Sequence, residues 1–267
     1  MKEFTSVAEQ ACRRAGEIQM EGLKRARQIT YKGRINIVTD VDQACEAAIV
    51  EIIQGVFPDH DILAEEGGGK RKDSEYKWVI DPLDGTTNYT HSYPLFCTSI
   101  ALEYRGEIVL GAVYEPNRGE MFLAEKGSGA TMNGQKLKVS ATPTLQEALL
   151  CTGFAYNIRE AKDNNLNHFS DFIMEARAIR RDGVAAVDLC YVAAGRFDGF
   201  WELNLFPWDV AAGFLMIAEA GGVATDFKGE AFDIYKKEIL TNNGLIHEEM
   251  LGLMQKKGTD PELSGKY

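Results

Sequence analysis

The strongest chemical signal in this chain is one continuous stretch, Trp78-Val79-Ile80-Asp81-Pro82-Leu83-Asp84-Gly85-Thr86-Thr87-Asn88. It begins as an apolar strand and reaches Pro82 and Gly85, two residues that favour turns. A sharp turn at Pro82 lets the carboxylates of Asp81 and Asp84 face one point. Hard cations such as Mg²⁺ prefer oxygen ligands of this kind. Because Asp-Pro and Asp-Gly are also ordinary turn formers, the two aspartates alone do not establish a metal site.

The residues that follow the two aspartates can bind an anion. Gly85, Thr86 and Thr87 offer successive backbone N–H groups and two hydroxyls. A helical turn that begins there would also direct its positive end at a phosphate. Two cation ligands followed by an anion cradle are the arrangement that metal-assisted hydrolysis of a phosphate ester requires.

Other acidic residues in the chain could complete this site, although each has a simpler explanation. Glu65 and Glu66 end a short strand that begins at Asp61, and exposed acids at such a place are common. Asp209 opens a helix, where its charge complements the helix dipole. Thr39 and Asp42 have the spacing of a capping box at the start of a second helix.

Length and pattern favour two fused parts. The chain has 267 residues, and a domain usually takes about 100 to 200. Helical periodicity covers 3–27 and 41–56. Strand and turn signals then alternate up to a hairpin at Asn133-Gly134, which closes an antiparallel region. From residue 144 helices and strands alternate, which implies layers of helices around sheets. We expect an N-terminal α+β half, 1–142, with Glu65 and the 81–88 motif, and a C-terminal α/β half, 143–267, with Asp209.

Composition restricts the partners and the compartment. The net charge of -11 disfavours binding to nucleic acid or to an anionic membrane. The N-terminal segment lacks the apolar core of a signal peptide, and no apolar run approaches the about 20 residues of a membrane span. The five cysteines form no CxxC pair, which argues against a disulfide framework and against a zinc-thiolate site. We therefore expect a cytoplasmic protein.

Two separated motifs resemble one known family. The stretch from Asp81 to Asn88, taken with Trp208-Asp209-Val210-Ala211-Ala212-Gly213, closely resembles the paired signatures of the inositol monophosphatase family of lithium-sensitive, metal-dependent phosphatases. The resemblance covers nearly the whole chain. It implies an α/β (α+β) fold, a layered α-β-α-β-α sandwich of the inositol monophosphatase and fructose-1,6-bisphosphatase type. It also implies a homodimer and a Mg²⁺ cofactor, with roughly two or three ions per active site.

The resemblance also assigns roles to individual residues. The implied metal ligands are Glu65, Asp81, the main-chain carbonyl of Leu83, Asp84 and Asp209. The implied catalytic residues are Glu65 and the pair Thr86 and Asp42, which would orient and deprotonate the attacking water. The implied substrate contacts are Gly85, Thr86 and Thr87 for the phosphate, and Gly183, Ala185, Glu202 and Asp209 for the alcohol. Val184 departs from the many members that have Ser or Thr there.

The function implied is a Mg²⁺-dependent phosphomonoesterase whose substrate is myo-inositol 1-phosphate. One alternative is fructose-1,6-bisphosphatase or a related sugar phosphatase of the same superfamily. An alternative of another class is a non-catalytic regulatory binding protein with the same fold. The implied partners are a small phosphomonoester substrate and a second copy of the chain, without nucleic acid or membrane.

Overall fold

The computed structural model describes residues 1–24, 29–32, 36–67, 72–156, 158–161 and 164–255. Seven α-helices occur within these ranges: α1 (Lys2–Gly22), α2 (Asp40–Val56), α3 (Thr86–Thr90), α4 (Leu166–Glu175), α5 (Ala185–Ala193), α6 (Pro207–Glu219) and α7 (His247–Met254). The strands of the first part of the chain are β1 (Ile29–Lys32), β2 (Asn36–Thr39), β3 (Asp61–Ala64), β4 (Tyr76–Asp84), β5 (Cys97–Tyr104), β6 (Glu107–Glu115), β7 (Glu120–Glu125), β8 (Gly129–Met132) and β9 (Gln135–Lys136). Those of the second part are β10 (Leu149–Thr152), β11 (Ala178–Arg180), β12 (Gly199–Leu203), β13 (Val223–Thr225) and β14 (Glu238–Asn242).

The first part of the chain builds a seven-stranded sheet. Its order is β3-β4-β5-β6-β7-β8-β9, and its pairs are antiparallel except β3 with β4. Short turns join successive strands from β5 onward, as the turn sequences at 105–106 and 117–119 predict. The antiparallel region expected from the sequence is therefore confirmed.

The second part builds a five-stranded sheet in the order β11-β10-β12-β14-β13. β10 pairs in parallel with both β11 and β12, and β14 joins the sheet antiparallel. Helices connect the parallel strands, because such strands need a crossover connection. This agrees with the alternation of helix and strand in the sequence.

The two sheets stack with helices between and outside them. α1 and α2 contact each other and pack on one face of the seven-stranded sheet, while α5 and α6 pack on its other face. α5 also contacts the five-stranded sheet, whose outer face carries α4 and α7. The layered α-β-α-β-α sandwich predicted from the resemblance is thereby confirmed.

The central helix α5 is packed without a solvent-facing side. All nine residues of α5 are buried. α6 lies so close to β6 that a Cβ on Gly111 would be 2.8 Å from the carbonyl oxygen of Ala212. One hydrophobic cluster joins Val79 and Phe122 of the first part to Leu189 and Met216 of the second. The core is thus shared across residue 142, and the division at that residue stays a prediction.

The first helix is shorter than its sequence pattern. α1 ends at Gly22, whereas periodicity predicts a helix to about residue 27. The Tyr89 hydroxyl donates a hydrogen bond to the Gln19 carbonyl at 2.7 Å, so a side chain from α3 occupies the end of α1. Residues 25–27, the last part of the predicted helix, lie outside the described residues.

The cysteines lie in the interior of the protein. All five are buried and none forms a disulfide. Among the described residues, no helix has both the length and the apolar composition needed to cross a membrane.

Candidate active site

A cavity of about 380 Å³ lies where the two parts of the chain meet. It collects nearly all of the residues that the sequence predicts for the site, although these come from segments far apart in the chain. The predicted residues that line it are Glu65, Asp81, Leu83, Asp84, Gly85, Thr86, Thr87, Gly183, Ala185, Glu202 and Asp209. Asp42 alone among the predicted residues does not line the cavity. It is connected to the cavity by a hydrogen bond from the Thr86 hydroxyl.

The carboxylates of the 78–88 stretch are positioned by a β-bulge. β4 continues to Asp84, with an irregular register opposite β5 between Asp81 and Asp84, so the sharp turn predicted at Pro82 is wrong. The backbone N–H of Leu83 donates to Asp81 Oδ1 at 3.0 Å, which fixes this carboxylate inside the bulge. The Glu65 N–H bonds the Ile80 carbonyl at 3.2 Å and brings Glu65 beside the bulge. A bulge re-aims side chains, as a turn would.

The second part of the chain supplies two further elements. The backbone N–H of Ala186, in the first turn of α5, donates to Asp84 Oδ2 at 2.8 Å. Asp209 Oδ2 accepts the Phe206 N–H at 2.7 Å and so caps α6. The helix-terminal role of Asp209 and its place in the cavity therefore coexist.

Burial and like charge raise the pKa values of the acids around the cavity. The pKa of Asp81 lies well above its usual range, first because the group is buried and then because the negative charges of Glu65, Asp84 and Asp209 are close. Burial raises the pKa of Asp84 to about 7 despite the bond from Ala186. Burial and the charge of Asp84 raise the pKa of Asp209 to about 8. These carboxylates fit hard divalent cations, since positive charge offsets both burial and mutual repulsion.

The acid at the far end of the cavity is Glu202. Burial, Asp209 and Asp84 raise its pKa to about 8. Its carboxylate lies over Gly153, where a Cβ would come within 2.1 Å of Glu202 Oε2. The 153 position must therefore be glycine if Glu202 is to keep this place.

Thr86 connects Asp42 to the cavity. The Thr86 hydroxyl lies 3.0 Å from Asp42 Oδ1 and 3.1 Å from the Leu83 carbonyl oxygen, and it can donate its single proton to either. The other carboxylate oxygen of Asp42 accepts the Thr39 N–H at 2.8 Å, and Thr39 caps α2 in return. The capping box is confirmed, and the same carboxylate also holds Thr86.

The segment predicted to bind an anion begins at Gly85. This residue is the N-cap of α3 with a φ of 93°, a conformation that favours glycine. Val184 lies against it, since a Cβ on Gly85 would be 2.8 Å from Val184 Cγ2. Asn88 Nδ2 donates to the Asp182 carbonyl at 2.9 Å, which ties α3 to the segment before α5. Gly85, Thr86 and Thr87 consequently face the cavity at a short helix start, as the sequence predicts.

Sequence reasoning missed several residues that line the cavity, among them Phe154, Tyr156, Arg181, Phe206 and Lys237. The Tyr156 hydroxyl is 2.9 Å from Thr87 Oγ1, and the rings of Phe206 and Trp208 stack at 5.1 Å. These five residues all lie in loops outside both motifs. Little in the sequence indicated them. Arg181 and Lys237 could be noticed only as basic residues, which an acidic site attracts.

One metal-ligand cluster lies elsewhere. Among the described residues, the acidic or thiol groups whose ligand atoms all lie within 4.8 Å of one another are Cys151, Asp182 and Asp188. The predicted ligands Glu65, Asp81, Asp84 and Asp209 line one cavity without reaching that spacing.

Comparison with known proteins gives consistent matches over the whole chain. The family model described as "Inositol monophosphatase family" matches residues 1–259. The chloroplastic phosphatase IMPL1 of Arabidopsis thaliana is 45% identical, covering 92% of this chain and 68% of that protein. The Nus factor SuhB of Pseudomonas aeruginosa is 42% identical, covering 96% and 97%. The inositol monophosphatase structure from Anabaena superposes with a TM-score of 0.87 at 42% identity, covering 95% of each chain.

Proposed function

Because the chain belongs to the inositol monophosphatase family and is a phosphatase, we propose that it is a Mg²⁺-dependent hydrolase of myo-inositol 1-phosphate. The observation that carries this proposal is the meeting of Asp81, Asp84 and Asp209 at one cavity beside Gly85 and Thr86. Acids that would hold cations thus stand next to groups that would hold a phosphate. The substrate, the metal and the residue roles are all part of the proposal.

The two ends of the cavity would have different roles, metal binding at one end and contact with the alcohol at the other. Glu65, Asp81, Asp84, Asp209 and the Leu83 carbonyl would hold divalent cations. These ions would polarise the phosphate and lower the pKa of the attacking water. At the other end Gly183, Ala185 and Glu202 would contact the alcohol that leaves.

Asp42 and Thr86 would handle the proton of the attacking water. The Thr86 hydroxyl, held by Asp42 at 3.0 Å, is placed to accept a hydrogen bond from water while its own proton points to the carboxylate. The Thr39 N–H and hydroxyl fix the other oxygen of Asp42. A carboxylate held in this way orients the hydroxyl and favours removal of a proton from the water.

The role of Thr86 can be tested with a conservative pair of variants. Thr86→Ser keeps the hydroxyl and should retain most of the turnover, whereas Thr86→Ala should lose about 10²-fold or more in kcat, as expected for a general-base relay. Steady-state phosphate release at saturating substrate measures both. Thr90→Ala is the control, because that hydroxyl donates to the Thr87 carbonyl at 2.9 Å and Thr90 does not line the cavity. Equal kcat values in the Ser and Ala variants would exclude the relay.

The substrate can be tested with a panel of phosphomonoesters. Purified protein freed of metal should release phosphate from myo-inositol 1-phosphate only after Mg²⁺ is added, with a higher kcat/KM than for fructose 1,6-bisphosphate. The sugar phosphatase alternative predicts the reverse order. Activity that is equal with and without Mg²⁺ would contradict the cofactor.

A regulatory binding role is the second candidate function. Relatives named Nus factor SuhB are 42% identical to this chain over nearly its whole length. The intact set of acids in the cavity favours catalysis. Protein that stays folded with Mg²⁺ yet hydrolyses no phosphomonoester in the panel would favour the regulator.

A further inference from the structure

Three side chains of metal-ligand type lie together behind the alcohol end of the cavity. Cys151 belongs to β10, Asp182 follows β11, and Asp188 lies in α5. One ligand atom from each lies within 4.8 Å of the others. Because they come from three separate elements, the spacing of cysteines along the sequence, which argued against a zinc-thiolate site, could not reveal them.

Asp188 points into this cluster without a hydrogen-bond partner. Its side chain is 1% exposed, and neither carboxylate oxygen accepts a hydrogen bond from the described part of the chain. The pKa of Asp188 lies well above its usual range, because the group is buried and because Asp182, Glu202 and Asp84 are close. The nearby Cys151 thiol lowers this pKa in part, but it does not reach hydrogen-bond geometry at either oxygen of Asp188. A buried carboxyl group of this kind takes either a proton or a cation.

The composition of the cluster selects the kind of cation. One thiolate and two carboxylates suit a borderline ion such as Zn²⁺, whereas Mg²⁺ prefers oxygen alone. Tetrahedral zinc with bonds of about 2.0–2.3 Å places its ligand atoms about 3.4–3.7 Å apart. The ligand atoms lie within 4.8 Å of one another, so side-chain rotations would have to bring them to this spacing. Asp182 is only half-buried.

We propose that Cys151, Asp182 and Asp188 form a second metal site, separate from the catalytic cavity, that takes a sulfur-binding divalent cation such as Zn²⁺. Binding replaces the thiol proton of Cys151, and the proton of Asp188 when that group is protonated, with metal bonds; the protons leave to solvent.

An ion at this site acts on the same segment that lines the cavity. Asp182 precedes Gly183 directly, and its carbonyl accepts the hydrogen bond from Asn88. Asp188 follows Ala186 by two residues, and the Ala186 N–H donates to Asp84. Metal loading therefore restrains residues 182–188 and, through them, one wall of the cavity.

Cobalt spectroscopy tests the site independently of phosphatase activity. Co²⁺ is titrated into the purified 267-residue chain after removal of metal, and the near-ultraviolet thiolate-to-cobalt charge-transfer band is followed. The cavity ligands are oxygens and give no such band. The wild type should develop the band with one equivalent of bound thiolate-ligated cobalt, and Zn²⁺ should displace it.

Variants assign the band to this cluster. Cys151→Ser and Asp188→Asn should lose it, whereas Cys190→Ser, a buried thiol on the same helix as Asp188, should keep it. Circular dichroism confirms that each variant is folded. If Cys151→Ser does not fold, Asp182→Asn, altered at the half-buried ligand, should weaken cobalt binding. A wild type without the band, a band that persists in Cys151→Ser, or an unchanged titration of Asp182→Asn would overturn the proposal.

Discussion

Asp84 belongs to the first part of the chain, yet a backbone N–H of α5 from the second part holds it at 2.8 Å. Its position is thus fixed by a group that carries no net charge. Asp209 is held in the same way by the Phe206 N–H at 2.7 Å. Backbone donors orient a carboxylate without neutralising it, so a bound cation can offset the negative charge of each acid.

Removal of either charge should stop turnover without unfolding the protein. Asp84→Asn and Asp209→Asn each keep a side chain of the same size and lose one predicted metal ligand. We expect kcat to fall by about 10³-fold or more in both, with the far-ultraviolet circular dichroism spectrum unchanged. Asp59→Asn, an exposed carboxylate, is the control. Substantial activity in either cavity variant would contradict the metal assignment.

The buried acids should make the metal-free protein less stable as the pH rises. Glu202 has a pKa of about 8 in the folded chain, while an unfolded glutamate titrates near about 4.3. Between these values the folded state holds a proton that the unfolded state has released. The free energy of unfolding therefore falls as the pH rises through this window, by up to about 1.4 kcal/mol per pH unit for one group.

Urea denaturation in the presence of a chelator measures this dependence. The free energy of unfolding should fall from about pH 5 to about pH 8, and Glu202→Gln should have a shallower slope because one titration is gone. Glu51→Gln, an exposed residue, should keep the slope of the wild type. A steeper or identical slope in Glu202→Gln would show that Glu202 is not held protonated.

At the scale of elements, the join between β4 and α3 depends on glycine at position 85. Its φ is 93°, and Val184 and the Leu95 carbonyl fill the space where a Cβ would lie. Gly67 has a similar φ of 89°, but nothing lies within 4 Å of its Cβ position. A comparison of substitutions at the two positions therefore separates the free-energy cost of a left-handed backbone from the cost of steric crowding.

Alanine at these two positions should have unequal effects. Gly67→Ala should cost about 1–2 kcal/mol of unfolding free energy from the backbone alone. Gly85→Ala should cost about 1–3 kcal/mol more, because Val184 must move, and it should weaken inhibition by inorganic phosphate. Denaturant melts and phosphate inhibition constants measure both effects. Equal stabilities of the two variants would mean that Val184 moves aside without cost, and that crowding at Gly85 does not fix the connection between β4 and α3.

The sequence predicted the bounds of helices best where capping residues mark the first turn. α2 was expected at 41–56 and spans Asp40–Val56. The helix expected to open at Asp209 is α6, which spans Pro207–Glu219. Both helices begin at capping residues. The β1–β2 hairpin was missed because its strands are only four residues each and it fell in a segment expected to be a loop. The bulge in β4 was missed because proline signals a turn and a bulge equally well.

The site was predictable to the extent that it lies in motifs. Asp81, Asp84 and Asp209 belong to two recognisable stretches, and the cavity brings them together. Asp42 was ambiguous because capping and function use the same residue type, and the structure shows one carboxylate in both contacts. Tyr156 and Lys237 could not be found, because loop residues carry no periodicity and their proximity depends on tertiary packing.

At the scale of the whole molecule, the shared core should make the two parts unfold together. Val79 and Phe122 pack in one cluster with Leu189 and Met216, across the predicted boundary at 142. We expect a single calorimetric transition whose van't Hoff and calorimetric enthalpies agree. The separate fragments 1–142 and 143–267 should lack a cooperative transition. Two resolved transitions in the intact chain would show that the parts are independent domains.

The close approach of Gly111 to Ala212 bears on how this protein could be recombined with its relatives. A chimera that takes β6 from one parent and α6 from another brings together two surfaces selected separately. A larger residue at 111 would displace α6, and Asp209 lies one turn before Ala212 on that helix. Crossover points should therefore leave positions 111 and 212 from the same parent, even though neither residue touches the cavity.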